Sequence, residues 1–219
     1  MKKVFIVGGS GKIARRLAQQ LSSRGHQPLS MHRHAEQAEE LKALGATPIA
    51  GDLLVLETHE LAELMRGSDV VVFSAGAGGK GGPEMTNAID GRGLELSVAA
   101  AKKAGVQRFV LVSAFPEASR NKVVSDTFEN YMSVKKHVDA HLADSDLDWV
   151  ILRPGRLIDS PGTLKVRAGY AIPYGDVSRD DVAAVLVEII ERLEVSKSII
   201  ELTEGDTPVA DAIQRFARG

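Results

Sequence analysis

The sequence contains no cysteine, which removes disulfides, thiolate metal sites and thiol nucleophiles from any account of its chemistry. An excess of one charge is missing as well. Lys and Arg number 27 against 29 Asp and Glu, for a net charge of −2, so a broad electrostatic footprint for nucleic acid or an anionic membrane is not expected. No apolar run reaches the roughly 18–20 residues that span a bilayer. Lys2-Lys3 followed by Val4-Phe5-Ile6-Val7 begins like a secretory signal, but the run stops at Gly8, short of the about 7–15 apolar residues such a segment needs. A soluble, cytoplasmic protein is the expectation. Internal repeats, low-complexity tracts and linkers are lacking too, and 219 residues fit one domain spanning 1–219.

What is present is an alternation of two periodicities. Short apolar runs at Val4–Val7, Pro28–His32, Thr47–Ala50, Asp69–Ser74, Arg108–Val112, Trp149–Leu152 and Ser198–Leu202 read as about seven strands, most of them buried on both faces. Between and after them lie helical patterns at Lys12–Arg24, Ala35–Leu44, Glu57–Arg66, about Met85–Ala104, Asp126–Leu142, Ser178–Leu193 and Pro208–Phe216. Ser178-Arg179-Asp180-Asp181 has the spacing of a capping box. Strands alternating with helices predict an α/β, Rossmann-type doubly wound fold, its mostly parallel sheet covered on both faces. The stretch Arg156–Gly175 reads as irregular, and so long a loop is expected to be functional. It is assigned as a small cap beside the ligand cleft.

Glycine is mildly enriched, and its placement is informative. Gly8-Gly9-Ser10-Gly11-Lys12-Ile13-Ala14 joins the first strand to the first helix. Gly8 permits a tight turn, Gly11 lets backbone approach a diphosphate, and Ala14 lets helix pack on strand. The amides of Gly11, Lys12 and Ile13 are expected to face that anion from the helix N-terminus. Ser10 lies inside the turn, although the Gly-x-Ser-x-Gly context of a nucleophile elbow is absent.

At the end of the second strand, where an NAD site places an acid for the ribose 2′-hydroxyl, the sequence reads Met31-His32-Arg33-His34. Arg33 suits a 2′-phosphate instead, so NADP is expected over NAD. Asp52 and Leu53 follow the third strand near the expected adenine position, with helix N-capping as the plainer role for Asp52. Ser74, Ala75 and Gly76 end the fourth strand, where ligands collect in open α/β sheets.

Ser113 ends the fifth strand, and Tyr131 and Lys135 lie four apart on the next helix, on one face. A phenol of ordinary pKa about 10 needs nearby positive charge to move protons near neutrality, and Lys135 is placed to lower it. Ser113 would hydrogen-bond the reacting oxygen. No metal site is expected. His137 and His141 share a helix face but lack the Glu and third ligand of a zinc helix. Met85, Met132 and Trp149 read as core or cleft wall.

With these residues in view, the chain resembles the short-chain dehydrogenase/reductase superfamily, specifically its atypical, extended-like NADP-binding members of epimerase/dehydratase type. The resemblance runs through Gly8–Ala14, Gly51-Asp52-Leu53, Ala104–Ser113, Leu152-Arg153-Pro154-Gly155 and Ser178–Ala183. It implies Ser113, Tyr131 and Lys135 as catalytic serine, tyrosine and lysine, with Lys135 also on the nicotinamide ribose. It implies Pro154 and Gly155 beside the nicotinamide. The superfamily's usual asparagine on the long helix, which helps hold a water in the proton relay, is replaced by Asp90. The chain is also too short for the substrate domain of full extended members, which argues against a sugar-nucleotide substrate. The function implied is an NADP-dependent oxidoreductase or epimerase/dehydratase-like enzyme acting on a small molecule. The alternatives are a non-catalytic NADP(H) redox sensor or a flavin or quinone reductase that makes no use of Tyr131.

Overall fold

The computed structural model describes residues 1–116, 118 and 123–217. The first half winds β1 (Lys3–Val7), α1 (Lys12–Ser23), β2 (Gln27–His32), α2 (Gln37–Ala43), β3 (Thr47–Ala50) and α3 (Thr58–Met65). Then β4 (Val70–Phe73) leads to α4 (Gly82–Thr86), a π-helical segment (Asn87–Arg92) and α5 (Gly93–Ala104). The second half carries β5 (Arg108–Val112), α6 (Asp126–Ala143), β6 (Asp148–Pro154), β7 (Arg156–Ile158), β8 (Lys165–Gly169) and β9 (Asp176–Ser178). It closes with α7 (Arg179–Glu191), β10 (Ser198–Glu204), β11 (Thr207–Pro208) and α8 (Val209–Gln214).

The described strands form a nine-stranded sheet in the order β11-β8-β10-β6-β5-β4-β1-β2-β3, plus a separate β7-β9 pair. β1 to β6 and β10 run parallel, while β8 is antiparallel to both β10 and β11. The period-2 pleat sends alternate residues of β1 to opposite faces. Val4 and Ile6 join the core under α1 and α7, and Phe5 and Val7 the core under α3, α5 and α6. Each such side chain contributes about 1.5–3 kcal/mol on burial. Winding reverses at β1: β2 and β3 lie on one side, β4, β5 and β6 on the other. A crevice opens at such a switch point, outside the carboxyl ends of the strands.

Three local expectations need correction. The stretch Arg156–Gly175, expected to be irregular, contains β7 and β8. In β8 Val166 is fully buried while Lys165 and Arg167 are exposed, and one buried residue in so short a strand leaves little apolar signal. Gly155 must be glycine here, because a Cβ would stand 2.1 Å from Gly175 O, where β7 leaves β6 to pair with β9. The long helix expected at Met85–Ala104 is interrupted by the π-helical segment, a widened turn of the kind that often marks functional sites. The Ser178 box is only half formed. Its hydroxyl accepts from Asp180 N–H, but the Asp181 carboxylate accepts from Thr163 and Leu164 N–H and so pins the stretch before β8.

Candidate active site

The turn after β1 is held by close backbone approach. Gly8 has φ +79°, and a Cβ there would stand 2.5 Å from Ala75 Cα; one on Gly9 would stand 2.7 Å from Ser30 Cβ. The Gly11 amide does not face outward as expected: it donates to Gly8 O at 2.9 Å and closes the turn. The N-terminus of α1 has neither a side-chain cap nor an acid in its first turn, which leaves its positive end open to an anion. Ser10 Oγ is buried without a hydrogen-bond partner. These features fit a dinucleotide diphosphate. The side chain of Lys12 is committed elsewhere, to Asp159 at 2.7 Å.

Two cavities flank this turn and share Gly11, Ser74, Ala75 and Gly76. The first, about 510 Å³, opens at the ends of β2 and β3 and is lined by Gly8, Ser10, Arg33, His34, Asp52, Leu53 and Lys80, among others. Arg33 is exposed, and its Nε donates to His34 Nε2 at 3.0 Å. Asp52 Oδ1 accepts from Leu54 N–H at 3.0 Å, a turn-closing contact that leaves its other oxygen for a ligand.

The second cavity, about 540 Å³, is lined by Lys12, Ile13, Asp90, Ser113, Tyr131 and Lys135, with Val112, Phe128 and Leu157 supplying apolar wall. Ser125 starts α6 by accepting from Phe128 N–H, and helical spacing then puts Tyr131, Lys135 and Asp139 on one face. Asp90 and Lys135 are each 3% exposed and Asp139 is 4% exposed. Lys135 Nζ donates to Val112 O at 3.2 Å and lies 3.9 Å from Asp90 Oδ1. Asp139 Oδ2 takes Arg153 Nε at 2.8 Å. A chain of alternating charge thus runs Asp90, Lys135, Asp139, Arg153 through the protein interior.

Burial governs the proton affinities in this chain. It lowers the Lys135 ammonium, against the pull of Asp90 and Asp139. It raises the Asp90 carboxyl, against Lys135 and the Ala77 amide. It also raises Asp139, against Ser113, Arg153 and Lys135. The Tyr131 phenol stands well above its ordinary value, first because it is desolvated and then because Asp90 and Asp139 disfavour a second anion. The sequence suggested the reverse, with Lys135 lowering the phenol; the two carboxylates that face the same lysine oppose that effect. Ser113 Oγ is buried and makes no well-formed hydrogen bond, although it lies near enough to Asp139 to hold that carboxyl down.

The residues read from the sequence therefore sort by cavity. Ser113, Tyr131, Lys135 and Asp90 meet in one cavity; Arg33, Asp52 and Leu53 meet in the other; Ser74, Ala75 and Gly76 line both. Pro154 and Gly155 line neither, being buried where β6 meets β10 and Gly175. Asp139 and Arg179 went unnoticed. The four-residue step from Lys135 to Asp139 was a usable signal for the first. Nothing local marks the second, which reaches the cavity wall from α7. His137 lies on the exposed face of α6 beside Glu95. No cluster of metal ligands and no helix long and apolar enough to cross a membrane occurs among the described residues.

A sequence profile of the NAD(P)H-binding family matches residues 8–192. A Bacillus subtilis protein described as an uncharacterized sugar epimerase, YhfK, is 34% identical over 98% of this chain and 100% of its own. A solved structure from Bacillus halodurans, described as an NAD-dependent epimerase/dehydratase, superimposes with a TM-score of 0.90 at 31% identity, covering 98% of this chain and 100% of that one. The oxidoreductase ylbE from Lactococcus lactis does so with a TM-score of 0.86 at 25% identity, covering 97% and 95%. The chain belongs to the NAD(P)H-binding family.

Proposed function

We propose that this NAD(P)H-binding chain is an NADP-dependent oxidoreductase or epimerase-like enzyme acting on a small substrate beside Tyr131. The observation that carries the reading is the convergence of Ser113, Tyr131 and Lys135 on one cavity that shares its wall with the glycine turn. NADP is preferred to NAD because Arg33, rather than an acid, stands where the 2′-position of the adenosine ribose is read. Bound NADPH supplies a hydride at its nicotinamide. The open end of α1 receives the diphosphate, and Lys135 holds the adjoining ribose. Ser113 Oγ, buried without a well-formed hydrogen bond, donates to the substrate oxygen. Tyr131 donates its proton to that oxygen as charge develops there.

The raised phenol pKa works against this role: a phenol is a weaker proton donor the higher its pKa, and general acid–base transfer is most efficient when the pKa lies near the operating pH. The same observation favours a second reading, a flavin or quinone reductase in which Tyr131 only walls the cavity. Turnover of NADPH against a panel of carbonyls, quinones and flavins, with Tyr131→Phe alongside, separates the two. The first reading expects kcat to fall by roughly 10²–10⁴-fold with little change in NADPH affinity. Unaltered turnover in Tyr131→Phe overturns it. No turnover with any acceptor, while NADPH still binds, leaves the redox-sensor alternative in its place.

A further inference from the structure

We propose that Asp90 is a positioning residue that ties the root of the glycine-rich loop after β4 to Lys135, so that loop and lysine are set together. The proposal rests on the reading above only for its consequence in a reaction; the tie itself stands on contacts.

The carboxylate faces two ways. Asp90 Oδ2 accepts from Ala77 N–H at 2.9 Å, while Oδ1 is 3.9 Å from Lys135 Nζ. A Cβ on Gly76 would stand 3.0 Å from Oδ1, so the absence of a side chain at 76 is what lets loop backbone lie against the carboxylate. The π-helical segment explains how a helical residue reaches so far inward. Its widened turn presents Asp90 and Gly91 to the interior, where a Cβ on Gly91 would stand 3.5 Å from Val134 Cγ1 of α6.

Beyond Ala77 the loop has little else to fix it. Gly78, Gly79, Gly81 and Gly82 all take positive φ, and at 78, 79 and 82 a Cβ would meet nothing within 4 Å. Lys80 N–H turns back to Ala77 O. The Asp90 contact is therefore the anchor from which the loop departs. That loop walls both cavities, through Ala77, Lys80 and Gly81 on one side and Gly78 and Gly79 on the other. On the other side of the tie, Lys135 is faced by Asp90 from the π-helical segment, by Val112 O from β5, and by Asp139 and Tyr131 from its own helix. Arg153 of β6 acts on it only through Asp139.

A charged acceptor holds an amide more strongly than a neutral one. Lys135 favours the ionised form of the Asp90 carboxyl against its burial, and an ionised acceptor strengthens the Ala77 bond. Lys135 and Ala77 make no bond with each other, yet the carboxylate couples them. An asparagine at position 90 would keep the amide's acceptor and lose the coupling.

Amide exchange and lysine titration by NMR test this on the full chain without ligand, independently of any turnover. In Asp90→Ala, Ala77 exchange should quicken by roughly tenfold or more as its acceptor is lost. In Asp90→Asn it should stay within about threefold of the parent, while the Lys135 titration midpoint drops further. Lys135→Met should quicken Ala77 exchange in the parent and not in the Asp90→Asn background, a coupling that a double-mutant cycle isolates. Unchanged Ala77 exchange in Asp90→Ala, an unmoved Lys135 midpoint in Asp90→Asn, or an equal Lys135→Met effect in both backgrounds each overturns the proposal. If Asp90→Ala does not fold, the isosteric Asp90→Asn still supplies the midpoint and the cycle. These results do not depend on whether Tyr131 transfers a proton, so this proposal and the functional one fail separately.

Discussion

In the cavity at the end of β2 three basic side chains stand at the surface. Arg33, His34 and Lys80 are exposed there, and their strongest structural commitments are to each other or to nearby backbone. Across Ser74–Gly76, in the cavity beside α6, Asp90, Lys135 and Asp139 are almost wholly buried, Asp90 paired with Lys135 and Asp139 with Arg153. The first half can offer its charges to a ligand at little cost to the fold. The second has already placed two carboxylates and two cations in a low-dielectric interior, where each depends on its neighbour. Recognition and stability are therefore separable on one side and linked on the other, which orders the expected effects of substitution.

The largest effect should come from breaking the buried chain at its centre. Lys135→Met removes the cation between Asp90 and Asp139 and strands buried carboxylates, which typically costs about 3–5 kcal/mol. Urea unfolding at neutral pH measures it. The cost should shrink on acidification. A carboxyl whose folded pKa is raised contributes stability below its unfolded value of about 3.9 and loses it as pH rises through the folded value. Burial raises both carboxyls already, and loss of the ammonium raises them further. The difference from the parent should thus be larger at pH 7.5 than at pH 5. A pH-independent difference would mean that packing of the lysine stem, not charge, holds this half together.

The shared wall should respond less strongly. Gly8→Ala combines a left-handed backbone with a Cβ 2.5 Å from Ala75 Cα, and backbone there cannot rotate away as a side chain could. Strain and overpacking together suggest a loss of about 2–4 kcal/mol. Gly25→Ala is the control: its φ of +78° is the same, but nothing lies within 4 Å, so only the conformational cost of about 1–2 kcal/mol remains. Thermal denaturation of the pair separates the close approach from the φ requirement. Equal losses would show that Ala75 gives way, and that the cleft wall is softer than its packing indicates.

The same contrast explains what the sequence disclosed. The glycine turn, Arg33 and the strands β1, β4, β5 and β6 depend on neighbours in the chain, and local pattern revealed them. Tyr131 and Lys135 were legible because one helix carries both. The buried charge chain was not, since Asp90, Asp139 and Arg153 come from three elements and only the folded sheet brings them together. The π-helical segment leaves the apolar spacing nearly intact and shows no break in the pattern. β8 and β11, at the end of the sheet, have too few buried positions to alternate visibly. The direction of the Tyr131 shift escapes local pattern for a related reason: spacing identifies a lysine four residues away, but neither the burial that chiefly raises the phenol nor the two carboxylates that add to it.

The smallest effect on the fold, and the sharpest on selectivity, should come from Arg33→Ala. The side chain is exposed, and its bond to His34 stays on the surface, so stability should change by no more than about 0.5 kcal/mol. If the guanidinium pairs with a 2′-phosphate, its removal should weaken NADPH by about tenfold or more, roughly 1.4 kcal/mol, and leave NADH nearly unchanged. Fluorescence titration of both cofactors with parent and variant gives the ratio directly. Raising the salt should narrow the parent's preference, because an exposed charge pair is screened within about 8–10 Å, and should have little effect on the variant. An equal loss for both cofactors would place Arg33 on the adenine or ribose instead. An unchanged ratio would pass the discrimination to His32, His34 or Lys80, the other basic side chains lining that cavity.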